Sequence, residues 1–277
     1  MTIPAMQTTL LRGFERVSVP LLAFANQNRV VKTLLQAFLR VSSGNWVWFL
    51  SKNLWEIHGL EHVSSLNPPR GVILVSNHRS FFDMYVTSAI LYHYASFMGK
   101  MYFPVRSNFF YDSPLGVLVN FAVAAGTMWP PVFRDDRKAL NPIGLAQMQQ
   151  ALEEKGAVIG IHPEGTRGKG DDPYAFLQAR AGVGQLIAAA HPDTVIVPFF
   201  ILGLSNSTIG EIRRNFLPEG KRGEPMRVWF GKPMTAGEWR GEGDPVRVSQ
   251  KLMGIIGELA DQDRALHGGR YKNGRLL

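Results

Sequence analysis

The stretch that decides the fold is Gly71-Val72-Ile73-Leu74-Val75-Ser76, which runs without a break into Asn77-His78-Arg79-Ser80-Phe81-Phe82-Asp83. Its first half is an apolar, β-branched run with no polar alternation, the pattern of a strand buried on both faces in a parallel sheet. The turn cluster Leu66-Asn67-Pro68-Pro69-Arg70 opens it. Working outward, residues 81–94 read as a helix, 96–98 as a short strand and 108–125 as partly helical. Residues 143–155 read as a helix and 157–161 as a second buried strand. A helix over 176–190, strands over 194–202 and 226–230, and a helix over 246–260 complete the series. Strands alternating with helices of this length predict an α/β domain with a mixed, mostly parallel central sheet flanked by helices. Residues 168–173 and 218–225 read as polar, Gly-rich surface loops.

The chain has 277 residues, ample for one α/β domain with an appendage, and 45% of them are hydrophobic, which excludes disorder over most of its length. It has no Cys, so a disulfide scaffold, a Cys nucleophile and a thiolate metal site are excluded. Lys and Arg number 30 against 22 Asp and Glu, a net charge of +8, which implies an anionic partner. Nucleic acid is not the expected one, because the basic residues are scattered over loops and termini and no binding module is present. The first 17 residues lack a basic cluster followed by an apolar core, so no secretory signal is read, and no stretch reaches the length of a spanning helix.

Three segments are expected: residues 1–55 helical, 56–262 the α/β domain, and 263–277 a basic, flexible tail. In the first, Val30, Val31, Leu34, Leu35, Phe38 and Val41 recur at helical spacing, with Lys32, Thr33, Gln36 and Arg40 opposite. Trp46, Trp48 and Trp55 follow, with Lys52 among them. Tryptophans beside basic residues suit an interfacial membrane anchor, and the same stripe also suits packing on the main domain.

Two polar clusters follow buried strands, and the carboxyl ends of such strands are where open α/β sheets bind ligands. His78 stands at one, with Asp83 five residues on in the next helix. A carboxylate accepting from one imidazole nitrogen leaves the other as an oriented general base. Helix capping by Asn77 or Ser80, with His78 a boundary residue, is the competing reading. The second cluster is Ile161-His162-Pro163-Glu164-Gly165-Thr166-Arg167, where Gly165 permits a tight turn and Arg167 offers a fork for phosphate. A local turn closed by a Glu164–Arg167 pair competes there.

Asn-His-x-Ser-x-x-Asp, then Pro-Glu-Gly-Thr-Arg, then Val197-Pro198 resembles the glycerolipid acyltransferase family, best known from the 1-acyl-glycerol-3-phosphate acyltransferases. The similarity includes residues 57–61 and Phe230-Gly231-Lys232-Pro233, and spans about residues 55–260. It implies acyl transfer from acyl-CoA or acyl-carrier protein to a lysophospholipid hydroxyl, most often 1-acyl-glycerol-3-phosphate. Glycerol 3-phosphate, another lysophospholipid or a lyso-aminolipid are alternative acceptors. His78 is implied as the base, Asp83 as its partner, and Glu164, Gly165, Thr166 and Arg167 as acceptor ligands. Arg134, with Arg137 second, stands where the family binds phosphate, and Arg180-Ala181-Gly182 replaces a Lys-x-Gly. No metal or cofactor beyond the acyl donor is expected, and the oxyanion is expected to meet backbone N–H groups near the helix after His78. The expected location is the cytoplasmic side of a membrane, held peripherally or monotopically.

One rival motif is His58-Gly59-Leu60-Glu61-His62, the inverted zinc-protease spacing. It needs a continuous helix, which Gly59 and the strand-like flanks oppose. A non-catalytic membrane-surface protein is the other rival, and it would not need both His78 and Asp83.

Overall fold

The computed structural model describes residues 10–134 and 136–267, with the backbone of 271–272 and 275–276. Three helices come first: α1 (Glu15–Gln27), α2 (Arg29–Leu39) and α3 (Asn45–Ser51). The α/β part follows as β1 (Trp55–His58), β2 (Val72–Ser76), α4 (Asp83–Tyr94), β3 (Met101–Tyr102), α5 (Pro114–Ala124), α6 (Asn141–Leu152) and β4 (Val158–Ile161). It continues through α7 (Gly182–Ala189), β5 (Val195–Leu202), β6 (Met226–Phe230), β7 (Met234–Thr235) and α8 (Pro245–His267).

The sheet has seven strands in the order β1-β6-β5-β2-β4-β3, with β7 against β5. Strands β5, β2, β4 and β3 are mutually parallel, while β6 and β1, parallel to each other, run the opposite way along β5. The fold is therefore mixed α/β with a mostly parallel sheet. Every residue of β2 and of β5 is buried, as their unbroken apolar runs require when helices cover both faces. Central β2 thus delivers Asn77 and His78 to the carboxyl edge beside the end of β4 and its His162. The Asn77 amide extends the β2–β5 ladder by one step, exchanging bonds of 2.9 Å with both the N–H and the carbonyl of Ile201.

Several boundaries differ from the sequence expectation for physical reasons. Residues 96–98 form a turn, and the strand is Met101–Tyr102. The helix expected from 176 begins only at Gly182, because the preceding segment is drawn out by Leu177 N–H donating to Glu164 and Arg180 N–H donating to Pro163. The last helix continues to His267, so residues 263–267 are not tail. Asp263 is fully buried there, accepting from Arg227 Nε at 2.8 Å and Trp229 Nε1 at 2.9 Å. Residues 268–270, 273, 274 and 277 of the expected tail lie outside the described residues.

Helix α2 reverses the usual sense of amphipathicity. On α2 the polar side faces inward: Lys32 is 1% exposed, and Gln36 and Leu39 are buried with it. Lys32 Nζ donates to Asn26 Oδ1 and to Met101 O, both at 2.7 Å, and Gln36 Oε1 accepts from Met101 N–H at 2.7 Å. Burial, and the charge of Lys100, hold the Lys32 ammonium well below its ordinary pKa. The apolar side faces out, with Leu34 66% exposed beside exposed Val30, Phe38 and Val41. Leu35 of the same stripe still packs against the core, so the stripe is divided between the domain and the outer surface.

Candidate active site

His78 follows β2 and turns back over the start of α4. Its Nδ1 lies 3.0 Å from Asp83 Oδ2, which also accepts the N–H groups of Arg79 (2.8 Å) and Ser80 (2.9 Å). Three donors on one oxygen of a buried carboxylate fix the geometry: the imidazole carries its hydrogen on Nδ1, and Nε2 is left as the acceptor. Burial is the main cause that lowers His78 to about 4, with the charges of Arg167 and Arg106 adding to it. Burial raises Asp83 to about 6, against the opposing pull of His162, the two N–H donors and Arg167. At pH 7 the pair is therefore a neutral imidazole on an ionised carboxylate, the form a general base needs.

Glu164 sits at the turn after β4 and is buried. Oε2 accepts the His78 backbone N–H at 2.6 Å, and Oε1 accepts the Leu177 N–H at 2.8 Å. The expectation that Glu164 binds the acceptor is corrected: both oxygens are committed to backbone, and the residue ties the β4 turn to the catalytic loop. Gly168 N–H donating to the His78 carbonyl at 2.8 Å closes the same seam. The expected Glu164–Arg167 pair is also replaced. Arg167 Nη1 donates to Asn206 Oδ1 at 3.1 Å, and that oxygen takes the Phe81 N–H at 3.0 Å.

Gly165 takes φ +61°, and a Cβ there would meet Arg134 Nη2 at 3.2 Å and Arg180 Cδ at 3.3 Å. The two arginines flank the turn, and Arg134 also donates to the Gly165 carbonyl. Burial, then the charges of Arg106 and Arg180, lower Arg134. Such a group of like charges suits an anion with several oxygens. Thr166 is half-buried in the same turn.

Arg137 is not part of this group. It is 7% exposed and pairs with buried Glu15 of α1, its guanidinium centred 5.0 Å over the Phe133 ring. The short 3-10 turn Asp136–Leu140 carries its side chain inward, away from Arg134. Of the two arginines, Arg134 is the one that lies beside the Gly165 turn. Four of the N–H groups near the helix start, where the oxyanion donors are expected, are already engaged. Arg79 and Ser80 N–H go to Asp83, Phe81 N–H to Asn206 and Phe82 N–H to the Ser80 hydroxyl.

Of the expected docking residues, Trp46 and Lys52 are exposed. Trp48 instead stacks on His93, centroids 4.1 Å apart, and meets Trp55 of β1 edge to face, centroids 4.7 Å apart. Both serve packing. The zinc-protease spacing does not form its helix: His58 ends β1 and bonds Glu56 at 2.8 Å, Gly59 takes φ +68°, and His62 Nδ1 faces the Phe230 carbonyl at 2.9 Å.

A family model described as Acyltransferase matches residues 55–202, more than half of the chain and the whole run from β1 through β5. The chain belongs to the acyltransferase family. This acyltransferase matches none of the curated proteins. Among solved structures it is similar to one titled as the 1-acyl-sn-glycerophosphate (LPA) acyltransferase, PlsC, from Thermotoga maritima. The two share 15% identity over 94% of this chain and 86% of that one, with a TM-score of 0.49.

Sequence reading missed Arg106, Asn206 and the role of Arg79, whose Nη2 donates to Gly170 O at 2.8 Å. Arg106 reaches the site through a two-residue pairing of Val105–Arg106 with Pro131–Val132, which no motif announces. Asn206 lies past β5 in a loop whose only local signal is a polar run.

Proposed function

We propose that this acyltransferase moves a fatty acyl group from a thioester, acyl-CoA or acyl-carrier protein, to the hydroxyl of a lysophospholipid, foremost 1-acyl-glycerol-3-phosphate. The observation that carries the reading is the His78–Asp83 pair, its Nε2 left as the acceptor, set near the guanidiniums of Arg167, Arg106 and Arg134. The acceptor hydroxyl gives its proton to His78 Nε2 as its oxygen bonds to the thioester carbon. The carbonyl oxygen becomes an oxyanion, and the positive charge of Arg167 and Arg106 stabilises it. Collapse breaks the C–S bond, and the imidazolium returns the proton to the departing thiolate. Ester and free thiol result, and His78 is restored. Arg134 and Arg180 hold the acceptor phosphate.

The membrane surface is the proposed source of acceptor. The inward polar side of α2 is costly for a surface in water and favourable for one whose outer face meets acyl chains. Exposed Val17, Leu21 and Phe24 of α1, Trp46 and Phe49 of α3, and Leu115 and Leu118 of α5 extend that apolar exposure, with Arg12, Arg16, Arg29 and Arg40 exposed among the helices. Among the described residues no helix is long and apolar enough to cross a membrane, which suits docking in the plane of one leaflet. The cytoplasmic leaflet is the inferred site.

The test is labelled acyl transfer by purified protein on detergent or vesicles, run with acyl-CoA and with acyl-carrier protein against a panel of acceptors. Phosphatidic acid as the dominant product supports the acceptor assignment. Faster turnover of a phosphate-free acceptor would overturn it.

A further inference from the structure

His162 follows β4 directly, and none of the roles above uses it. Its ring lies flat on the ring of His78, with centroids 4.0 Å apart and planes 7° from parallel. Its Nδ1 faces the Ser76 hydroxyl at 3.1 Å and the Ser76 carbonyl at 3.2 Å. The carbonyl only accepts, and the hydroxyl donates to the Asn77 carbonyl at 3.0 Å, so the His162 hydrogen sits on Nδ1. The ring is thus held from two strands: β4 supplies its backbone and Ser76 of β2 supplies the pin.

His78 has a use for such a support. Its backbone is tied to Glu164 and its Nδ1 to Asp83, yet one bond at Nδ1 leaves the ring able to rock about the line through Cβ and Nδ1. Rocking carries Nε2, the atom that takes the proton, off its line to the acceptor. A flat neighbour at stacking distance restricts that motion. We propose that His162 is a positioning residue, whose pinned ring is the shelf that holds the His78 ring in the plane from which Nε2 reaches the acceptor hydroxyl. This rests on His78 being the base.

The charged groups around the pair agree with a neutral stack. Arg167 and Arg106 face His78, and burial with their charge lowers it to about 4. Burial and the His78 ring lower His162 to about 3, against Asp83 and the backbone of Ser76 and Asn77. Two charged rings face to face would repel; two neutral ones stack.

Three variants test the shelf. His162→Phe keeps the flat ring without the pin, and kcat should stay within about threefold of wild type. His162→Leu fills similar space without a flat face, and kcat should fall roughly three- to tenfold, the worth of an aromatic pair, with the acceptor KM unchanged. His162→Gln can keep the pin to Ser76 without the ring and should behave like Leu, which covers the case of a Leu variant that fails to fold. Imidazole ¹⁵N NMR should show His78 as a sharp Nδ1–H tautomer signal in wild type, and the same signal broadened by ring motion in the Leu or Gln variant. A purely structural role would lower Tm and leave kcat and the tautomer signal unmoved. Wild-type kcat in Leu and Gln, or a Phe variant as slow as Leu, overturns the inference. His78→Ala is run alongside: an active His78→Ala refutes the base reading itself, whereas an inert one beside a full-rate His162→Leu refutes the shelf alone.

Discussion

Replacing Asp83 by Asn removes one charge and almost no volume from the centre of the site. An amide oxygen placed where Oδ2 now sits can still accept the N–H groups of Arg79 and Ser80, so the helix start is retained. The variant also no longer buries a charge whose desolvation pushes Asp83 up to about 6. Stability should therefore change by no more than about 1 kcal/mol. Catalysis should suffer far more. In the ground state the carboxylate faces a neutral ring, and only when His78 takes the proton does it face a cation. A hydrogen bond to a charged group contributes about 1.5–3 kcal/mol, and a full charge pair at about 4 Å and an effective dielectric near 20 contributes about 4 kcal/mol. Only the part gained on the way to the transition state lowers the barrier. That part is about 3–4 kcal/mol, or a fall in kcat of roughly 10²- to 10³-fold, with the acceptor KM within about threefold. The pH profile adds a signature. The active form has Asp83 ionised, so wild-type kcat should decline as pH falls through about 6, well before His78 titrates near 4, and the variant should show no such step. Initial rates of labelled acyl transfer between pH 5 and 8 measure both. A variant within fivefold of wild type at pH 7.5, or one keeping the step near pH 6, would refute the reasoning.

The remaining predictions concern the arginines, the buried lysine and the outer face. Arg134→Ala should raise the acceptor KM about tenfold with little change in Tm, whereas Arg137→Ala should cost about 3 kcal/mol by leaving Glu15 buried alone, with KM unchanged in the folded fraction; reversed results would exchange their roles. Lys32 binds fewer protons folded than unfolded between its lowered folded pKa and about 10.5, so wild-type stability should rise with pH across that window by up to about 1.4 kcal/mol per unit relative to Lys32→Met. Equal pH dependence in denaturant melts of the two would show that Lys32 is charged in the fold. Leu34→Glu with Phe38→Glu should lower co-sedimentation with anionic vesicles at least tenfold while Tm holds, because both side chains face outward. Unchanged sedimentation would place the membrane contact elsewhere.

The sequence made some of this legible because it is local. His78 and Asp83 lie within one strand-to-helix turn, so five residues of spacing and a buried strand suffice to foresee their bond. Arg134 and Arg137 are equally close in sequence, yet which one faces the site depends on Glu15, 122 residues from Arg137, and on a tight turn that periodicity does not report. Glu164 stands where a ligand was expected, but the sequence does not show that the His78 and Leu177 amides claim both oxygens. On α2 the period of the apolar stripe was plain and its direction was not. Hydrophobic spacing defines an axis, and whether that axis points to a core or to lipid depends on what Lys32 and Gln36 meet. Here they meet Asn26 and the Met101 backbone.

The central claim is that His78 removes the acceptor's proton. It is tested most directly by single-turnover transfer of a labelled acyl group to 1-acyl-glycerol-3-phosphate at pH 7.5, with wild type and His78→Ala of matched Tm. The account predicts labelled phosphatidic acid from wild type and at least a 10³-fold slower rate from the variant. A variant that turns over within tenfold of wild type would contradict it.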